Sequence, residues 1–182
     1  VEDVQNNARY RPLEHRNDKW YGSTYWSGPD WTRVGKDWHH PGKATPAVRR
    51  FTAPKSGKLT VAGRIYKADT KPSDGVHLEI RHNAETVWTA DLDGQDGKGV
   101  EPKLHLQVER GDALRFVVHK RKAIYCDTMH WDPVITYADG QSFQASKGFS
   151  KKRQGHGGWS YEMEGGDGQD IGLPSVHVLS AN

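Results

Sequence analysis

Between residues 47 and 137, apolar and polar side chains alternate in short runs divided by turn-forming residues. Ala47–Thr52 alternates weakly and stops at Ala53–Pro54. Lys58–Tyr66 alternates clearly, with Leu59, Val61 and Ile65 on one face and Thr60, Arg64 and Tyr66 on the other. Val76–Arg81 repeats the pattern, and Asn83–Ala84–Glu85 turns the chain into Thr86–Leu92. Lys103–Val108 sets Leu104, Leu106 and Val108 inward, and Arg110–Gly111–Asp112 leads into Ala113–His119 with Leu114, Phe116 and Val118 inward. Val134–Tyr137 adds a strand, and Trp159–Met163 and Val176–Leu179 add two short ones. Successive side chains of an extended chain point to opposite faces, so a period of two marks strands buried on one side. No segment carries a helical period of 3.6. The pattern predicts an all-β fold, a β-sandwich of jelly-roll type with about eight strands, in one domain over residues 1–182.

The two ends depart from this texture. In residues 1–45 the rings of Trp20, Tyr21, Tyr25, Trp26, Trp31 and Trp38 stand among Gly, Asp, Asn and Lys without a period. That predicts an irregular, aromatic-rich N-terminal region. Residues 138–182 are rich in glycine.

Composition sharpens the picture. Mean hydropathy is low at -0.88, yet seven Trp, seven Tyr and four Phe belong to a chain that folds. The formal charge of +3 is too small for a general nucleic-acid binder. Cys126 is the single cysteine, so no internal disulfide forms. No run approaches the roughly 18 apolar residues of a membrane helix, and no insertion into a membrane is expected. The start at Val1 reads as a mature form or an excised module, which suits a secreted or cell-surface location.

Several strings carry a resemblance. HPGKATPAVRRFTAP (His40–Pro54), GKLTVAGRIYKAD, DGVHLEI, RGDALRFVV and DTMHWDP resemble a β-sandwich module of bacterial polysaccharide-degrading proteins, and QGHGGWSY (Gln154–Tyr161) resembles a stretch that flanks such modules. The resemblance covers roughly residues 34–137. It implies a non-catalytic carbohydrate-binding or accessory domain, covalently linked to a catalytic domain that it holds on a polysaccharide.

The candidate chemistry agrees with a binding role. Trp and Tyr rings are flat, amphipathic platforms that match the apolar faces of sugars. Trp20, Tyr25, Trp26, Trp31 and Trp38 are candidate platforms, with Tyr125, His130 and Trp131 as neighbours from a later loop. Beside them stand Lys36, His39, His40, Lys43, Arg49 and Arg50. Arg49 and Arg50 must point to opposite faces of a strand, so one of them joins a given groove. Arg49 is the candidate, since an arginine fork grips carboxylate or sulfate in two-pronged fashion. The expected ligand is therefore an acidic, uronic or sulfated glycan.

Two loops offer clustered hard oxygens for a structural Ca2+: Asp127 with Asp132, and Asp91, Asp93 and Asp96 in DLDGQDGKG. Catalytic signatures are scarce: there is no G-x-S-x-G, H-E-x-x-H or phosphate loop. Two rivals stay open. One is a small lyase using Tyr125, His130 and Arg121, or a glycosidase using Glu162/Glu164 or Asp127/Asp132. The other is a structural spacer.

Overall fold

The computed structural model describes residues 2–165; the expected strand at Val176–Leu179 lies outside them. The strands in chain order are β1 (Tyr10–Pro12), β2 (Glu14–Trp20), β3 (Ser23–Ser27), β4 (Arg33–Gly35), β5 (Trp38–His40) and β6 (Ala47–Thr52). They continue as β7 (Gly57–Ala62), β8 (Ile65–Lys67), β9 (Val76–His82), β10 (Glu85–Leu92), β11 (Leu104–Val108) and β12 (Ala113–Lys120). The last four are β13 (Met129–Trp131), β14 (Val134–Tyr137), β15 (Ser142–Gln144) and β16 (Trp159–Glu164). Helical structure is confined to two single turns among the described residues.

The architecture is an antiparallel β-sandwich. One layer runs β1-β16-β6-β12-β9-β10. The facing layer consists of β11-β7-β14-β15 and β2-β3-β4-β5-β13-β8. These last two sheets are one ladder broken in the middle. Ala62 faces Val134 on one side of the break and Ile65 faces Trp131 on the other, in unchanged register. Pro133 has no N–H to give the ladder. Gly63, at φ +124°, lets the two chains approach so closely that a Cβ there would lie 2.9 Å from the Asp132 carbonyl oxygen.

Alternation builds the core. Leu78, Ile80, Phe116 and Val118 of the first layer meet Val61, Ile65, Trp131 and Ile135 of the second, all buried. Each such side chain contributes roughly 1.5–3 kcal/mol on leaving water. The opposite face of the first layer carries matched charge. Arg115 Nε lies 2.9 Å from Glu162, Arg50 Nη1 2.6 Å from the same carboxylate, and Arg81 Nη1 2.5 Å from Glu164.

The N-terminal region corrects the expectation of irregularity. Residues 14–40 form β2 to β5, a meander joined to β13 through His39 opposite Met129. Ser23, Thr24, Tyr25 and Trp26 of β3 are all buried, so both faces of this strand are covered. A strand covered on both faces loses the alternation that betrays it.

Candidate functional site

Where the meander meets the segment between β12 and β13, an aromatic groove opens. Its floor is underlain by Trp38, 0% exposed, whose Nε1 donates to Ser23 Oγ at 3.0 Å. Gly35 makes room for that indole, because a Cβ there would stand 2.1 Å from it. Trp20 packs edge-on against Trp38 with centroids 5.4 Å apart, and Tyr21 leans on it at 5.9 Å. The Arg33 guanidinium sits over three rings, 4.7 Å from Trp20, 4.5 Å from Tyr25 and 4.4 Å from Trp31. It cements the cluster by cation–π attraction.

Above this floor two rings face water. Trp31 is 53% exposed on one wall and Tyr125 63% on the other. Apart from Val4 they are the exposed large apolar side chains among the described residues. The cavity between them measures about 670 Å³ and is also lined by Lys43, Lys71, Lys120 and Lys122. Its one carboxylate, Asp69, lies 4.0 Å from the Lys71 ammonium.

The walls are held by buried polar groups. His40 stands between them, with Nδ1 3.0 Å from the Trp31 carbonyl and Nε2 3.1 Å from the Ile124 carbonyl. Burial lowers its pKa to about 4 despite both carbonyls, so the ring is neutral at pH 7. A neutral imidazole carries one N–H and donates to one wall at a time. Under the second wall, Lys67 donates to the Cys126 carbonyl and faces Asp127 Oδ1 at 3.5 Å, both side chains fully buried. Burial lifts Asp127 to about 7.

The backbone singles out the same place. Six non-glycine residues have positive φ among those described, and two are asparagines, which tolerate it. Of the remaining four, Tyr21 (φ 47°), Trp31 (φ 74°) and Cys126 (φ 59°) line the groove, and Asp30 (φ 52°) precedes Trp31. Each such residue costs of order 1–3 kcal/mol and persists where the surrounding structure imposes it, typically at ligand sites.

No protein-family profile and no curated protein matches the chain. It is similar to a solved family 35 carbohydrate-binding module from Clostridium thermocellum, at TM-score 0.37 and 15% identity over 71% of this chain and 89% of that one. It is also similar to such a module from Paenibacillus barcinonensis, at TM-score 0.35 and 16% identity over 73% and 96%. Likeness at this level bears on neither ligand nor activity.

Of the expected platforms, Trp20, Trp31 and Tyr125 come together in the groove. Tyr25, Trp26, Trp38 and Trp131 are buried and correct the expectation of exposed rings there. Trp26 stacks on Tyr161 at 5.2 Å, and Trp131 packs on Phe116 at 5.5 Å. Arg49 is corrected too. The inward face of β6 carries Ala47, Arg49 and Phe51, so Arg49 is fully buried and donates to the Gly35 carbonyl at 2.7 Å and to His39 at 3.3 Å. His130 lies against Tyr66 at 4.9 Å, outside the groove lining.

Tyr21, a ring of the N-terminal aromatic cluster, also lines the groove, and Lys71, Lys120 and Lys122, which the sequence does not mark as ligand contacts, complete it. Lys120–Arg121–Lys122 is a run of local positive charge in the sequence. Its place beside Trp20 depends on the β5–β13 pairing across ninety residues, which leaves no mark in the sequence.

The carboxylates do not fit Ca2+, which takes six to eight oxygens. Asp132 accepts from Gln144 Nε2, Ser146 N and Ser146 Oγ, and Asp127 faces an ammonium. Asp91 is 2.6 Å from His77, Asp96 accepts from Lys98 N and Gly99 N, and Asp93 is an exposed turn residue. No group of three or more His, Cys, Asp or Glu gathers as a metal site among the described residues.

The lyase set is likewise dispersed. Tyr125 lines the groove, Arg121 lines a different depression and His130 lines neither. The neighbouring Cys126 thiol raises the Tyr125 pKa, which opposes a role as base. Glu162 and Glu164 are tied to arginines.

Proposed function

We propose that this chain is a non-catalytic polysaccharide-binding module whose groove takes an acidic glycan. The observation that carries this reading is the pairing of exposed Trp31 and Tyr125 with four lysines and one carboxylate around a single cavity. The rings offer stacking to the C–H faces of sugars. The ammonium groups offer point charges to carboxylate or sulfate. An open groove buries little of a well-hydrated ligand, so affinity for one site is modest. A module of this kind holds an attached enzyme near its substrate, outside the cell where such polymers occur.

Affinity electrophoresis tests this reading. Migration should be retarded in gels containing polygalacturonate or chondroitin sulfate and unaffected by neutral xylan. Trp31→Ala with Tyr125→Ala should abolish the retardation. Retention by xylan alone overturns the acidic assignment. Absence of retention by all three polymers, or release of unsaturated uronate products, overturns the binding-module reading.

A further inference from the structure

The groove does not end at Lys43 and Lys120. These two lysines also line a second depression of about 350 Å³, which lies over the outer face of the first layer. Its floor is made of ions already matched to one another. Arg81 pairs with Glu79 and Glu164, Arg9 with Glu164 at 2.5 Å, and His119 lies 3.5 Å from Glu79. Lys43, Lys120 and Arg121 differ, since no carboxylate stands within 4.0 Å of their charged groups among the described residues. Lys120 donates to the Lys122 carbonyl at 3.4 Å and Arg121 has Asp74 as a charge neighbour without a direct ion pair, so these three cations stay open to an incoming anion. No Trp, Tyr or Phe lines this second depression, so it offers charge without stacking.

Among the described residues, the two depressions together hold seven lysine or arginine side chains and three carboxylates. That is a local excess of cationic side chains around two adjoining depressions. The first cavity alone is of a size that takes a small ligand. A charged continuation would be superfluous for one sugar.

We infer that the two depressions form one track for a linear polyanionic glycan gripped in mid-chain. Sugar rings stack on Trp31 and Tyr125, and the acidic groups of the following residues meet Lys43, Lys120 and Arg121. This rests on reading the aromatic groove as a glycan site, and it adds a second site that reads charge and chain length.

Calorimetric titration of the full chain with size-fractionated oligogalacturonates separates the two claims. Dodecamers should bind the wild type about tenfold more tightly than trimers, beyond the statistical gain from repeated sites. Arg121→Glu, at an exposed position, should leave trimer affinity within about twofold and remove the advantage of length. Trp31→Ala should weaken both oligomers. If trimers bind but length brings no gain, or if Arg121→Glu weakens both oligomers equally, the track is wrong while the groove stands. If the wild type binds neither oligomer, the acidic-glycan reading of the groove fails and the track fails with it.

Discussion

If the proposed site is right, Trp31 serves both stability and binding, and replacing it by glycine and by alanine separates the two. The residue sits at φ 74° with its ring 53% exposed, against Arg33 at 4.4 Å and Trp20 at 5.9 Å. Either substitution removes those contacts, a loss of about 1–2 kcal/mol for one half-exposed cation–π and one aromatic contact. Alanine keeps the left-handed backbone penalty, roughly 1–2 kcal/mol for a residue with a Cβ. Glycine releases it but adds about 0.4–1 kcal/mol of unfolded-chain freedom. Trp31→Gly should therefore be more stable than Trp31→Ala by about 1 kcal/mol, a difference of about 2–4 °C in Tm for a domain of this size. Both should lose affinity for acidic polysaccharide about tenfold, equivalent to about 1.4 kcal/mol. Thermal unfolding by circular dichroism, run beside affinity electrophoresis, reads both effects. If the glycine variant melts no higher than the alanine variant, the backbone stores no penalty there. If either variant keeps full affinity, the ring is not a platform.

Other outcomes follow from the same structure. Trp38→Ala should cost about 3–5 kcal/mol in urea unfolding, because a fully buried ring leaves a cavity under the groove; a loss under 1 kcal/mol would contradict its place as the support beneath the floor. Asp127, lifted by burial from 3.8 to about 7, favours the folded state fully below the lower value, and that contribution is lost as pH rises through the higher one. It should lower stability between about pH 4 and 7 by at most about 4 kcal/mol, and Asp127→Asn should flatten that part of a Tm-against-pH profile. Binding should weaken steadily as sodium chloride rises from low to physiological concentration, since exposed lysines are screened; constant affinity across that range would point to stacking alone.

Much of the sandwich was legible because half-buried strands advertise themselves. Ala47–Thr52 and Val134–Tyr137 match β6 and β14 residue for residue, and Leu114, Phe116 and Val118 face inward as read. Lys58–Tyr66 is less regular than its alternation suggests, since Gly63 breaks it into β7 and β8. The site was legible only in part. Trp20, Trp31 and Tyr125 line the groove, while the similar residues Trp26 and Trp38 do not. Nothing local distinguishes Trp31 from Trp38: both are indoles in a polar context, and their fates are set by Gly35 and by the strands that cover them. Arg49 and Arg50 pose the same problem. Alternation shows that they part company, but not which of the two faces is the interior.

The long-range pairings within each layer also dictate an order of events during folding. The meander of β2 to β5 is built from neighbouring strands and can pair soon after it is made. Its seat on β13 is supplied about ninety residues later, and β1 finds its partner only in β16. Long-range pairings of this kind are reached only after large loops have closed, which slows the search. Until then Trp26, Val34 and Trp38 stand on a ribbon with open edges, the kind of surface that draws nascent chains together. Slow refolding with concentration-dependent losses, relieved by dilution, is the behaviour such a connectivity imposes.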